Sequence, residues 1–165
     1  MAQTLIEGTP ITLRGAVIID GSVALPASSV TNTSVTAAAG IDASKLEHRH
    51  RETYSQPNTT ATSVTQVIYT AAAAGTVNSF KAGSIVACIG AATVTVDLKK
   101  NGSTILSAVI TLDSSNTAYV VEAGTINSAA YVAGDMFTIV TVATAGGGTI
   151  ATGFTCIAEF EEAAS

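Results

Sequence analysis

Apolar and polar positions alternate with a period of two through the C-terminal part of this chain. Val94, Val96 and Leu98 share one face of a segment whose other face carries Thr93, Thr95 and Asp97, the pattern of a half-buried strand. Asn101-Gly102 follows at once. Both central positions of a type I′ turn need positive φ, which Asn and Gly tolerate, so the pair predicts a tight hairpin. Its return strand is expected to carry Leu106, Ala108, Ile110 and Leu112 on one face. Asp113-Ser114-Ser115-Asn116 predicts the next turn, and Tyr119, Val120 and Val121 a further strand. Upstream, Val67, Tyr69 and Ala71 alternate with polar or small neighbours, and Val77 to Lys81 and Ser84 to Ile89 read as two strands parted by Ala82-Gly83. Downstream, Phe137 and Ile139 lead a strand running to Gly146-Gly147-Gly148. Phe154, Cys156, Ala158 and Phe160 share a last face opposite Glu159 and Glu161. About eight short strands with regular turns predict an all-β fold, an antiparallel sandwich of jelly-roll type over 64–165. Its expected core is Val94, Val96, Leu98, Ile110, Phe137, Phe154 and Phe160.

The first 63 residues follow different rules. Over 1–40, short apolar steps are separated by Gly8, Pro10, Gly15, Gly21 and Pro26. Ile11 and Leu13, Val17 and Ile19, Leu25, Val30 and Val35 mark the steps, which Ile41 and Leu46 continue into the next segment. Each piece is too short to build a core alone. The segment therefore reads as an extended arm preceding the sandwich and pinned at intervals to another surface; the alternative is a set of edge strands in one domain. Residues 41–63 read as a charged linker. Asp42 to Glu52 holds 6 of the 19 formally charged residues and both histidines, His48 and His50. Asp42 could cap a short helix there, or the segment could be extended. Pro57 to Ser63 then reads as a hinge.

Composition changes this picture in one respect. The chain has 165 residues, of which only 12% are charged, about half the usual share of roughly 25%. Trp is absent and aromatics make up 5%, so the 47% hydrophobic content is chiefly small and β-branched. A surface covered by Thr, Ser, Asn and Ala rather than by charge suits a chain whose surface is largely taken up by neighbouring subunits. Seven Lys and Arg against twelve Asp and Glu leave a net charge of −5, too acidic for a nucleic-acid-binding patch. Met1 to Gly8 lack the basic start and apolar core of a secretory signal, and no apolar run is long enough to cross a bilayer, so no membrane partner is expected.

Candidate chemistry is sparse. Nucleophilic catalysis needs a base held beside a Ser or Cys, and the expected sandwich contains no His, so the chain is expected not to be an enzyme and to need no cofactor. Gly146-Gly147-Gly148 lacks the following Lys-Ser/Thr of a phosphate loop. Cys88 and Cys156 form no metal motif; they read as buried thiols, with a disulfide as the alternative. His48 and His50 fall on one face if the segment is extended. Copies meeting on a symmetry axis could then hold a metal or an anion; otherwise the pair is hydrogen-bonded or solvated.

The order of these parts resembles the small decoration, or cement, proteins on the heads of tailed bacteriophages and the related head-fibre proteins. The resemblance lies in Val30 to Val35 with Ile41 to His50, and in Gly75 to Gly83 with Val94 to Ser103. It implies a virion structural protein, made in the host cytoplasm and placed on the outer surface of the capsid. It also implies a homotrimer whose partner is the major capsid protein, with no catalytic residues to carry over. The arm steps at Ile11, Leu13, Val17, Ile19, Leu25, Val30, Val35, Ile41 and Leu46, together with His48 and His50, are the candidate capsid or trimer contacts. Some fibre relatives bind carbohydrate, which makes a glycan-binding fibre module the alternative; the lack of Trp gives sugar stacking poor support.

Overall fold

The protein is described here by a computed structural model over residues 48–162. The ten strands are β1 (His48–Thr60), β2 (Val64–Thr70), β3 (Gly75–Val86), β4 (Thr93–Lys100), β5 (Ser103–Thr104), β6 (Ile110–Leu112), β7 (Val121–Gly124), β8 (Ala130–Tyr131), β9 (Met136–Thr144) and β10 (Thr152–Glu162). Every pairing is antiparallel. One sheet runs β1-β10-β3-β7, with β8 also on β3; the other runs β2-β9-β4-β5, with β6 also on β4. The long strands thus pass back and forth between two packed sheets, which is the jelly-roll sandwich that the alternation predicts.

The core lies between the sheets and includes every phenylalanine of the chain: Phe80, Phe137, Phe154 and Phe160 are fully buried. All seven expected core residues are buried. Asn101 and Gly102 have φ of 51° and 84°, so both central positions of the β4–β5 turn are left-handed as expected. Cys88 and Cys156 are both buried free thiols, which rules out the disulfide reading. Burial pushes the Cys156 thiol up to about 12.

Four details differ from the sequence reading. Residues 48–60, read as linker and hinge, form β1, and the sandwich therefore starts before Val64. The two strands expected around Ala82-Gly83 are one, β3. A side chain at Gly83 would stand 2.7 Å from the Val120 carbonyl oxygen, so the small residue there admits β7 alongside rather than breaking the strand. The return strand after Asn101-Gly102 is broken: β5 is two residues long, Leu106 bridges to Ile126, Ala108 is exposed, and pairing with β4 resumes only at β6. The Thr104 hydroxyl donates to Asp97 at 2.6 Å and accepts the Leu106 N–H at 3.2 Å, which turns the chain out of the ladder. Finally, Tyr119 and Val120 precede β7 rather than belonging to it.

Candidate interaction surface

Of the expected contact residues, Ile11, Leu13, Val17, Ile19, Leu25, Val30, Val35, Ile41 and Leu46 lie outside the described residues. His48 and His50 lie on β1, at one edge of its sheet. His50 pairs with Phe160, and directly opposed residues share a face, so its ring turns inward. It stacks on Phe160 at 5.3 Å and meets Tyr69 at 4.6 Å, and its Nε2 is buried without a hydrogen-bond partner. The extended geometry expected for the pair is present. His50 is a wedge at the rim of the aromatic core, with its Nε2 lacking a hydrogen-bond partner. Among the described residues, no three His, Cys, Asp or Glu side chains gather as a metal site.

Around that wedge the rim is closed by polar contacts. The Tyr69 hydroxyl donates to the Glu162 carboxylate, and that bond, ahead of the nearby His50, holds Glu162 below the usual carboxylate range. Burial, ahead of the same bond, drives the Tyr69 phenol well above its ordinary value. Tyr131 packs edge-on to Phe137 and Phe160. On the outer face Arg49 pairs with Glu161 and Arg51 with Glu159, directly across the β1–β10 ladder. A hollow of about 370 Å³ bounded by Arg49, His50, Arg51 and Glu159 lies at this edge.

The opposite edge is apolar rather than charged. β7 pairs with β3 alone, and its far side looks onto a hollow of about 210 Å³ bounded by Ser107 to Thr111 and Glu122 to Thr125. Beside it, a second hollow of about 180 Å³ is bounded by Ser84, Ile85, Tyr119, Val120, Val121, Gly153 and Thr155. Large apolar side chains stand in water here: Tyr119 is 80% exposed, Val120 49%, Val121 47%, Val86 49% and Ile85 40%.

The local sequence builds this flank. In the turn after β6, Asp113 accepts the Ser115 N–H at 2.8 Å and the Ser115 hydroxyl at 2.6 Å, which holds its carboxyl below the usual range. Asn116 accepts the Asp113 N–H at 2.5 Å and donates to Glu122 at 2.9 Å. The loop so tied delivers Tyr119, whose N–H donates to the Ser84 carbonyl at 2.9 Å. Tyr119 sits at φ 63°, the left-handed region that a bulky side chain rarely occupies. Tyr119 is thus a strained and exposed aromatic beside an apolar hollow. The sequence signal was the unbroken run Tyr119-Val120-Val121, which departs from alternation where a half-buried strand should keep it.

No family model matches the chain, and neither a curated protein nor a solved structure matches it.

Proposed function

We propose that this chain is a virion structural protein: a decoration protein that sits on the outer surface of a tailed-phage capsid as a homotrimer and stabilises the head. The observation that supports this reading is a sandwich surface poor in charge and broadly apolar. Ion pairs line the β1–β10 edge, and exposed apolar side chains stand both beside β7, at Ile85 and Tyr119 to Val121, and on the β2–β9 sheet, at Val67, Met136 and Val142. Such a surface serves association rather than turnover. The resemblance of the arm and the hairpin strands to head-decoration proteins supplies the particular partner, the major capsid protein. Residues 1–40 provide the capsid contact in this reading, and three arms on one trimer bind with avidity because the second and third contacts are intramolecular.

The test is to add the full chain, and a chain beginning at Ile41, to undecorated heads and to measure copies bound per head. Saturation at a fixed copy number by the full chain, lost on truncation, is expected. No binding by either form overturns the reading, and a positive glycan array in that case would favour the fibre-module alternative. Equal binding by both forms moves the capsid contact from the arm to the sandwich.

A further inference from the structure

We propose that Asn101-Gly102 is a latent modification site, an asparagine set to convert to aspartate and isoaspartate, and that Asp135 guards it by holding the Asn101 carboxamide against the start of β9.

Three observations carry it. The first is the openness of the nucleophile. A glycine after asparagine leaves the following backbone nitrogen unhindered, because it has no Cβ. The chain's five other asparagines are each followed by Ser or Thr. Asn101 and Gly102 are both exposed, and a side chain at Gly102 would meet nothing within 4 Å, so the fold does not shield that nitrogen. The second is the clasp on the carboxamide. The Asn101 N–H donates to the Met136 carbonyl at 2.9 Å, while its Oδ1 accepts the Met136 N–H at 2.9 Å and its Nδ2 donates to Asp135 at 2.7 Å. Both ends of the carboxamide are occupied, and it must leave both partners before Cγ can meet the Gly102 nitrogen. The third is the guard. The other Asp135 oxygen accepts the Val132 N–H at 2.9 Å and lies 4.0 Å from the Lys100 ammonium. The Val132 N–H, then Asn101 and Lys100, hold the Asp135 carboxyl below its usual range, so it stays an ionised acceptor, the stronger kind.

In the step itself, hydroxide removes the Gly102 amide proton and the nitrogen's electron pair forms a bond to Asn101 Cγ. The Cγ–Nδ2 bond breaks, and ammonia leaves with its third hydrogen taken from water. Water then opens the succinimide: cleavage at Cγ leaves aspartate, and cleavage at the main-chain carbonyl leaves isoaspartate. Aspartate puts a carboxylate where Nδ2 now donates to Asp135, and isoaspartate lengthens the backbone of a two-residue turn.

The experiment incubates the full chain in mildly alkaline buffer and follows conversion at Asn101 by peptide mapping and mass spectrometry, with isoaspartate separated chromatographically. Far-UV circular dichroism checks folding, and Asn78 and Asn127 serve as internal standards. The same chain in guanidinium chloride gives the unguarded rate. The native wild type should convert at least about ten-fold more slowly than the denatured chain, the factor expected when a hydrogen bond to a charged group must break first. Asp135→Ala should raise the native rate about ten-fold, at Asn101 alone. Asp135→Asn keeps an acceptor oxygen and should stay near the wild type. If Asp135→Ala does not fold, Asp135→Ser decides, because it retains a partner for the Val132 N–H and none for Asn101. A native rate equal to the denatured rate overturns the inference, as does an Ala or Ser variant no faster than the wild type. A rise shared by Asn78 and Asn127 also overturns it, because it reports general loosening. Conversion in the denatured chain no faster at Asn101 than at Asn78 removes the reactive site itself.

Discussion

The two edges of one sheet have been given opposite treatments. At β1, Arg49 and Arg51 are paired outward, Glu52 lies on the inward face opposite buried Ala158, Pro57 removes a donor, and the register shifts between Gln56 and Thr60. Each of these discourages a further strand from adding. At β7, Glu122 likewise lies opposite buried Ala82, but the strand has no proline, no register shift and no outward ion pair, and the large side chains just before it, Tyr119 and Val120, are apolar and exposed. What differs is length and outward charge: β1 runs 13 residues and carries two ion pairs across to β10, whereas β7 runs four residues and carries none.

The largest effect that would break this comparison comes from the floor beneath the β1 edge. Phe160 is fully buried against His50, Tyr69, Tyr131 and Phe137. Phe160→Ala should cost about 3–5 kcal/mol in chemical denaturation and free β1 from its rim. A cost below about 1 kcal/mol would mean that β1 is not seated on the aromatic core as described.

Gln56 comes next. It is buried; its amide donates to Tyr54 at 3.1 Å and to the Thr62 carbonyl at 3.2 Å, and its oxygen accepts the Thr62 N–H at 2.7 Å. Gln56→Ala leaves these groups without partners and should cost roughly 1–3 kcal/mol. Proteolysis should then cut first within 57–63, the corner that Gln56 ties down; an unchanged cleavage pattern would show the corner to be held by other contacts.

Tyr119→Gly tests the strain beside the β7 edge. Relief of left-handed strain is worth roughly 1–2 kcal/mol and the added backbone entropy offsets roughly 0.5–1, so the chain should gain about 0.5–1 kcal/mol in thermal or chemical denaturation. A Gly variant less stable than the wild type would show that the Tyr119 side chain makes contacts worth more than the strain it carries.

The smallest effect is on pH dependence at the β1 rim. Glu162 is held below its ordinary value chiefly by Tyr69, so it stabilises the fold above about pH 4.3, the unperturbed glutamate value, and that contribution is lost as pH falls through the lowered folded value. Tyr69→Phe removes the donor. Its stability should therefore fall less steeply on acidification than that of the wild type, and equal slopes would place the cause of the Glu162 shift elsewhere.

Much of the sandwich was legible from alternation alone, and the places where it was not share a cause. β1 hid because its inward positions are His50, Glu52, Tyr54 and Gln56, so neither face looked apolar, although Arg49 and Arg51 stand opposite Glu161 and Glu159 in the folded ladder. The stretch after Asn101-Gly102 looked like one strand because Leu106 and Ile110 fit a period of two whether or not they pair with β4. Tyr119-Val120-Val121 looked like one strand because local pattern registers apolar β-formers but not where the pairing starts, which is at Val121.

What the sequence determined by itself is therefore what short-range geometry controls: the side-chain alternation that made two-faced strands, the Asn-Gly turn, and the phenylalanines that had to meet inside. What only the tertiary structure decided is which strands became neighbours. β1 closes on β10 across more than a hundred residues of chain, and β7 is left with a single partner. A strand carries the same residues at an edge as in the middle of a sheet. The partners that distinguish the two positions come from distant segments, so the open flank beside Tyr119 came into being only when the sheets were assembled.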